Sequence, residues 1–499
     1  MLSVIIMNRL AMKKIFFISL LMVSTLLSTG CATNPVTGGK DFVTISEDQE
    51  IEMGRKGNAQ VLQQYSLYEN KELQDYVQRV GRKLAAKSHR PGLIYRFHVL
   101  DSTEINAFAL PGGYIYITRG LMAYLNSEAE FAAVLGHEIG HVTARHSVRQ
   151  ASAAQMAGIG ATIGAIFLPQ MRTQAGQQMV NVLGSALLSG YGRDHELEAD
   201  RLGAEYLARS GYDPQAMLDV IKVLKNQEIY DKTLAKAEGR EPRSYHGVFA
   251  THPDNDTRLQ QVIAAASKYI ATGKEIRNRN EYLALMENLV IGESAKEGVT
   301  RGNSFYHSDM GFALTFPKGW KIQNLPDRIV ATAPGGGAII QMGAEDINRR
   351  ISPREFMKTR LGLKKLKAEG RINPDGLDGH SAVAPIKTSF GIRDARFNVI
   401  YLDDRAFILA GVVKDKNQIP VYDKEFLKTA KSFHRITQKE REIAKPLRMH
   451  LIKAKPGMTI AKLARQTPFT DHAEERLRLL NGIFPKGEIK PGQMVKIVK

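Results

Sequence analysis

The sequence predicts an α+β protein in three parts: a mainly helical domain with a small β-sheet, a small α+β domain, and a compact β-α-α-β domain. Apolar residues recur at helical spacing in "SEAEFAAVLGHEIGHV", as expected for a core helix. After Gly302, short strand patterns separated by turn residues predominate. Near the end, Pro456-Gly457, Asn481-Gly482 and Pro491-Gly492 mark turns between two strand patterns and two short helical ones.

A chain of 499 residues is long enough for several hydrophobic cores, and two charged stretches predict where the parts are joined. These stretches are "NRNEYLALMENLVIGESAKEG" and "TQKEREIAKPLR". We therefore expect a signal segment (1–31), a principal domain (32–275), a helical linker (276–301), an α+β domain of unknown role (302–436), a second linker (437–447) and a C-terminal domain (448–499).

The N-terminal segment has the pattern of a secretory signal. Lys13 and Lys14 precede an apolar run, Ile15–Leu27, that is too short to span a bilayer comfortably. "LSTGC" follows and ends at Cys31, the only cysteine, so no internal disulfide can form. Small residues before a lone cysteine resemble the bacterial lipobox, which implies that Cys31 is lipidated and attaches the protein to a membrane. The alternative is a plain signal peptide with an incidental cysteine.

The lipobox resemblance also implies a location. No aspartate follows Cys31, since the next residue is Ala32, and by the family rule this favours the periplasmic side of the outer membrane. The net charge of +18 suggests an anionic environment without naming it. We expect no nucleic-acid partner, because no matching module is present and a secreted chain would not meet DNA.

The stretch "GHEIGHVTARH", residues 136–146, is either a metal centre or a charged helix face. His137 and His141 are four residues apart, about 40° around a helix, so both imidazoles can bind one Zn²⁺. Glu138, next to the first histidine, can take a proton from a zinc-bound water. His146 would lie on the opposite side of a continuous helix, so we expect a surface residue or one that supports a ligand.

A third ligand is expected from "RDHELEADRLGAEYLA", which has the apolar face of a second helix. Glu196 can reach the metal while Asp200, one turn later, hydrogen-bonds a ligand histidine. Glu198 is also available, so spacing alone does not single out Glu196. A solvated acidic helix is the alternative.

Together, "HEIGH" and "RDHELEAD" resemble the HtpX and CAAX-prenyl-protease family of zinc gluzincins, metallopeptidase family 48. The resemblance covers roughly residues 34–268. It implies one zinc per chain held by His137, His141 and Glu196, with Glu138 as the base and Asp200 supporting a ligand. The domain 32–275 is then a gluzincin-type metallopeptidase domain.

"INAFALPGGYIYIT" predicts two strands around a Pro-Gly-Gly turn. In such enzymes an edge strand beside the zinc pairs with the substrate backbone. We therefore expect Asn106, Ala107, Phe108 and Ala109 to bind substrate by β-augmentation. An ordinary core hairpin is compatible with this role.

The apolar, glycine-rich stretch Met156–Pro169 is shorter than a membrane span. Two interpretations remain for it: a helix that is buried or covers the active site, and a hairpin that touches the membrane.

His252 lies in a Thr-His-Pro turn, and Arg258 opens the helix that follows. The family has this His-Pro then Arg pattern near its active site. His252 could occupy the fourth position of the zinc and hold the enzyme inactive. Alternatively, His252 and Arg258 could donate hydrogen bonds to the oxyanion. A merely exposed histidine is the third interpretation.

The last two domains have different resemblances. Residues 302–436 faintly resemble PsbP-like or Mog-type domains. Residues 448–499 resemble the LysM domain, a reader of sugar polymers, and their eleven Lys/Arg against four Asp/Glu suit a peptidoglycan-bearing surface. The alternative for this tail is a spacer or an intramolecular contact.

We therefore expect a zinc metalloendopeptidase at the periplasmic side of the outer membrane that degrades misfolded or unassembled envelope proteins. The alternative is a non-catalytic lipoprotein scaffold or chaperone that bridges the outer membrane and peptidoglycan.

Overall fold

The computed structural model describes residues 31–153, 192–238, 274–325, 328–388, 391–469 and 471–499. Helices and several sheets alternate through these ranges, so the protein is of mixed α+β class, as the sequence predicts. The chain forms two compact units. The first contains the residues up to Leu289 together with Met449–Lys499, and the second is Val290–Arg448. Among the described helices, none combines the length and apolar character that crossing a membrane requires.

The described helices are numbered here in chain order: α1 (Glu47–Gln64), α2 (Lys71–Ala85), α3 (Arg119–Tyr124), α4 (Glu128–Thr143), α5 (Arg193–Arg209), α6 (Ala216–Glu238), α7 (Arg279–Leu285), α8 (Pro353–Thr359), α9 (Ile419–Lys431), α10 (Gln438–Ile443), α11 (Ile460–Ala464) and α12 (Ala473–Leu480).

The described strands are β1 (Cys31–Thr33), β2 (Lys40–Phe42), β3 (Arg96–Leu100), β4 (Ala107–Leu110), β5 (Tyr114–Thr118), β6 (Val290–Ile291), β7 (Val299–Arg301), β8 (Ser304–His307), β9 (Phe312–Thr315), β10 (Lys321–Leu325), β11 (Arg328–Thr332), β12 (Ala338–Asp346), β13 (Lys367–Ile372), β14 (Gly379–Thr388), β15 (Gly391–Leu402), β16 (Arg405–Val413), β17 (His434–Arg435), β18 (Leu447–Lys453) and β19 (Met494–Val498).

A three-stranded sheet in the first unit has the order β3-β5-β4. β3 is parallel to β5, whereas β4 is antiparallel to it, so β4 is an edge strand among the described residues. The turn between β4 and β5 needs glycine, because Gly112 and Gly113 have φ values of 73° and 90°. Helix α1 packs directly on this turn: a Cβ at Gly54 would lie 1.9 Å from the carbonyl oxygen of Pro111.

Helix α4 carries the histidine motif and lies in the core of the first unit. Ser127 caps it, since its hydroxyl accepts a hydrogen bond of 3.2 Å from the backbone N–H of Glu130. Every residue from Ala129 to Thr143 is buried, as expected of a helix that is mostly apolar on all sides.

The C-terminal end of α4 is fixed by a buried ionic cluster. After the cap residue Ala144, Arg145 takes a left-handed φ of 55°. Its Nε donates to Glu50 at 2.8 Å, and Arg90 Nη1 donates to the same carboxylate at 2.7 Å. Arg90 Nη1 also donates to the carbonyl of Val142 at 3.1 Å. Helix α1 and the end of α4 are therefore tied together.

The C-terminal segment has the β-α-α-β order that the sequence predicts, with β18 antiparallel to β19. It packs against the rest of the first unit. Glu287 accepts hydrogen bonds from the His450 ring at 2.7 Å and from the N–H of Leu451 at 2.8 Å. Tyr230 on α6 contacts the rings of His472 and Phe484 edge-on.

Lys496 makes the deepest of these contacts. Its side chain is completely buried, and Nζ donates to the carbonyls of Ala123 and Leu125 at 2.7 and 2.9 Å. Burial lowers the pKa of Lys496 well below its ordinary value, and the buried Glu130 at the start of α4 counteracts this shift. Burial likewise raises the pKa of the Glu130 carboxyl. The last strand therefore supports the connection between α3 and α4.

The second unit is built on antiparallel sheets. Seven strands have the order β10-β11-β12-β16-β15-β14-β13, and four others the order β17-β9-β8-β7. The stretch "FNVIYLDDRAFILAGVV" has two strand patterns around residues 403–405, and β15 and β16 form this hairpin, with Leu402 opposite Arg405. Helix α9 closes the main core through Phe426.

Residues 276–301, predicted as a helical linker, are helical only over Arg279–Leu285. β-Branched residues favour extended backbone, and the chain forms short strands at Val290–Ile291 and Val299–Arg301. Gly292 and Gly298 have φ values of 74° and 83°, which an α-helix does not accommodate.

Lys496→Ala should destabilise the first unit by about 3 kcal/mol, because it removes the buried donor to two carbonyls and leaves a cavity beneath α4. Hydrogen–deuterium exchange should rise over residues 119–131. Lys499→Ala changes an exposed lysine on the same chain end and should leave exchange unaltered. Equal exchange in both variants would show that the tail does not support α4.

Candidate active site

Three buried side chains from two helices meet in one cluster. His137 and His141 lie on α4, and Glu196 lies in the first turn of α5. The Nε2 atoms of the two histidines are 3.0 Å apart. Glu196 places Oε2 3.6 Å from His137 Nε2 and Oε1 3.4 Å from His141 Nε2. Among the described residues, these three form the group of side chains positioned to share a metal ion.

The cluster fits a four-coordinate metal ion. Two imidazole nitrogens and one carboxylate oxygen are a ligand set of catalytic zinc sites, which leave a fourth position for water or substrate. Ligands about 2.0–2.1 Å from a tetrahedral zinc lie about 3.3 Å from one another. The observed separations of 3.0 to 3.6 Å are close to that value.

Glu138 follows the first histidine on α4 and is only 2% exposed. The motif therefore places a buried carboxylate between the two imidazoles in sequence. In an H-E-x-x-H helix this position is that of the general base.

Asp200 lies one turn after Glu196 on α5 and is also buried. Its Oδ1 is 2.8 Å from Nδ1 of His137. This hydrogen bond fixes the His137 ring with Nε2 facing the cluster. Support of this kind keeps a ligand imidazole in one tautomer and one orientation.

His146 supports the second histidine, which agrees with one of the two expectations for it; the other, a surface residue, is wrong. It is fully buried, and its Nδ1 lies 2.8 Å from Nδ1 of His141. The angular argument assumed a continuous helix, but α4 ends at Thr143 and the left-handed φ of Arg145 redirects the chain. The sequence signal that could have indicated a supporting role is the presence of a third histidine only five residues after His141.

Glu198, left open as a ligand by spacing alone, contacts His146 instead of the cluster. Its Oε2 is 3.1 Å from His146 Nε2 and accepts from Arg149 Nη1 at 3.0 Å. The hydrogen bond to His146 and the Arg149 charge lower the pKa of Glu198 to about 2. Burial lowers the pKa of His146.

The two motif helices approach closely because small residues line their contact. A Cβ at Gly136 would lie 3.2 Å from the carbonyl oxygen of Gly203. A Cβ at Gly140 would lie 2.9 Å from the carbonyl oxygen of Ala199. With glycine at these positions, the backbone of α5 comes near enough for Glu196 to reach the histidines.

The predicted substrate strand borders the cluster. Ala109 and Leu110 of β4, with Pro111, line a small cavity together with His141. Ala107 and Ala109 are buried, and Phe108 stacks on Tyr116 with ring centroids 4.9 Å apart. Asn106 is buried before the strand, and its Oδ1 has no hydrogen-bond partner among the described residues.

Other predicted site residues lie outside the described ranges. His252 and Arg258 are among them, as is the stretch Met156–Pro169. The backbone of Cys31 opens strand β1, and its side chain lies outside the description.

A helix-borne H-E-x-x-H motif completed by a glutamate from a later helix is the arrangement of a metal-dependent peptidase. Residues 71–266 match the peptidase family M48. The chain therefore contains an M48 peptidase domain, in agreement with the resemblance of its two motifs.

Relatives of this kind occur in bacteria and mitochondria. A "Beta-barrel assembly-enhancing protease" of Yersinia pestis is 31% identical over 263 residues, which are 48% of this chain and 52% of that protein. The Escherichia coli K12 protein of the same name is 32% identical over 234 residues, 46% of each chain. "Mitochondrial metalloendopeptidase OMA1" of Schizosaccharomyces pombe is 28% identical over 46% of this chain and 64% of its own. The chain thus spans about half the length of the bacterial relatives.

A solved structure of cyanobacterial PsbP from Synechocystis is 13% identical, with a TM-score of 0.23, and the match covers 28% of this chain and 95% of that one. A score of this size supports no conclusion about fold. The resemblance of residues 302–436 to PsbP-like or Mog-type domains stays a prediction.

Gly140→Ala should weaken metal binding by about tenfold or more, because the added methyl group pushes α5 and Glu196 away from α4. The added methyl group also strains the packing, but alanine favours a helix over glycine by about 1 kcal/mol, so the two effects on stability partly cancel. Metal affinity is therefore the clearer measurement. Competition with a zinc chelator measures it. Gly92→Ala is the matched control, since nothing lies within 4 Å of its added Cβ. Unchanged affinity in Gly140→Ala would contradict the close-contact argument.

Proposed function

We propose that the protein is a zinc-dependent metalloendopeptidase. The observation that carries this proposal is the buried cluster of His137, His141 and Glu196 with Glu138 on the same helix. A non-catalytic scaffold or chaperone would have no use for a buried carboxylate between two metal-binding histidines. The M48 match and the relatives named as metalloendopeptidases support the same activity.

Zinc bound here would polarise the scissile carbonyl and acidify a water molecule. The chain's own residues do the rest. Glu138 takes a proton from the attacking water and later gives it to the leaving amine. Asp200 holds His137 in the tautomer whose Nε2 carries no hydrogen and can therefore bind a metal. Low exposure around the cluster strengthens each of these polar interactions.

The edge strand β4 supports binding of an extended polypeptide. A substrate segment that pairs with β4 places a backbone carbonyl near His141, which borders the same strand end. Backbone pairing makes few demands on sequence, which suits unfolded proteins. Asn106 precedes the strand, and its Oδ1 has no hydrogen-bond partner among the described residues. Asn106, Ala107, Phe108 and Ala109 are therefore the proposed substrate-binding residues.

Misfolded or unassembled envelope proteins are the proposed substrates. The bacterial relatives are named for enhancing β-barrel assembly, which is compatible with this substrate class. A lipidated Cys31 would attach the enzyme to the outer membrane on its periplasmic side. The basic C-terminal segment, if it functions as a LysM domain, would contact peptidoglycan. Its packing against the peptidase unit supports the intramolecular role that the sequence also allowed.

Glu138→Gln should retain zinc but cleave an unfolded substrate such as casein about 10²–10⁴ times more slowly, because the amide cannot accept the proton of water. Metal analysis and a fluorescent casein assay on the purified full chain measure both properties. If the variant binds zinc and cleaves as fast as the unmodified protein, the proposed function fails.

His252→Ala distinguishes the proposed roles of that residue by the sign of its effect. If His252 occupies the fourth zinc position, its removal should raise proteolysis. If it donates to the oxyanion with Arg258, turnover should fall by about 10²–10³. We favour the first role, and the casein assay decides. Unchanged cleavage would contradict both roles and leave an exposed turn histidine.

A further inference from the structure

We propose that His146 is a positioning residue for the metal centre. Its ring links the ligand His141 to the Glu198 carboxylate through two consecutive hydrogen bonds. The inference rests on metal binding by the proposed peptidase site. The H-E-x-x-H motif does not include His146, and its role follows from the contacts of the folded chain.

The three side chains lie in a row, with the His146 ring between His141 and Glu198. Nδ1 of His141 is 2.8 Å from Nδ1 of His146. On the other side of the His146 ring, Nε2 is 3.1 Å from Oε2 of Glu198. Both distances are within hydrogen-bond range, and the two contacts use both nitrogens of His146.

The donors and acceptors fix the tautomers. Nε2 of His141 faces His137 and Glu196, so a metal would bind there and the ring hydrogen must be on Nδ1. His141 Nδ1–H then donates to Nδ1 of His146. His146 consequently carries its hydrogen on Nε2 and donates it to Glu198, an acceptor. Each atom has one consistent role, with no two donors facing each other.

Glu198, at the far end of this series of hydrogen bonds, is itself held in place. Arg149 donates to Glu198 at 3.0 Å, and Arg149 also lies 3.7 Å from the Asp41 carboxylate. The ring of His195 stacks on His146 with centroids 4.3 Å apart. His146 itself is completely buried. The ring therefore cannot rotate away without breaking two hydrogen bonds and a stacking contact.

Both histidine ligands thus have support, but of different kinds. His137 contacts a carboxylate directly, whereas His141 reaches its carboxylate through a second imidazole. Loss of such support typically costs ten- to a hundredfold in metal affinity. We expect that range for a variant in which His146 can neither accept nor donate.

The test compares three replacements in the full chain with Glu138→Gln present, which prevents self-cleavage. His146→Leu retains bulk but no hydrogen bonds and should lower zinc affinity about ten- to a hundredfold. His146→Asn retains an oxygen near the position of Nδ1 and should recover much of the affinity. His146→Gln offers its donor toward Glu198 but places no acceptor at the Nδ1 position, so it should recover less.

Affinity is measured by chelator competition, and the absorption spectrum of bound Co²⁺ reports ligand geometry. His380→Leu, a buried histidine of the second unit that contacts Glu369, is the matched control and should bind zinc normally. The thermal stability of each variant is also measured without metal. A variant that loses zinc affinity but keeps its thermal stability has lost the positioning of His141 and not the packing of the core.

The inference is overturned if the His146→Leu variant binds zinc as tightly as the chain with His146 intact. It is also overturned if the zinc affinity of His146→Asn is as low as that of His146→Leu. If the chain with His146 intact binds no zinc, both this inference and the proposed function fail. If that chain binds zinc and only the ranking of variants fails, the proposed function stands.

Discussion

The cluster of His137, His141 and Glu196 depends on the close approach of two helices. Glu196 reaches His137 and His141 because α4 and α5 meet at glycine and alanine positions, where backbone atoms would be about 3 Å from an added Cβ. Larger residues would separate the helices by more than the tolerance of a metal site, which is a few tenths of an ångström in each ligand distance. The chemistry of the site therefore depends on residues that carry no functional group.

The active-site helix is also held at both ends by buried polar side chains. At its C-terminal end, Glu50 accepts from Arg90 and Arg145, and Arg90 donates to the carbonyl of Val142. Before its N-terminal end, Lys496 donates to carbonyls of the preceding residues near Glu130. Buried polar groups are costly unless they are hydrogen-bonded, so these contacts favour one arrangement of the helix. Residues 449–499 therefore belong structurally to the peptidase unit, although a domain boundary at 448 is natural in sequence.

The sequence predicts local features of this fold well and long-range ones poorly. The helix with H-E-x-x-H, the strand pair around Pro111-Gly112-Gly113 and the hairpin around 403–405 follow from patterns within a few residues. The choice between Glu196 and Glu198 could not be made from spacing, because the sequence does not show which side of α5 faces α4. The packing of Lys496 under α4 had no signal, since its partners are more than 365 residues away and backbone carbonyls carry no sequence identity.

His146 shows why an angular argument can fail near a helix end. Counting nine residues at 100° each places it opposite His137, but only if the helix continues. The chain leaves the helix after Thr143, and one residue in a left-handed conformation turns His146 back toward His141. Such a conformation costs a non-glycine residue of order 1 kcal/mol, and two contacts offset that cost here: Arg145 binds the buried Glu50, and His146 completes the support of a ligand. The same turn therefore fixes the end of the active-site helix and orients one of its histidines, which makes its geometry a property of the site as well as of the loop.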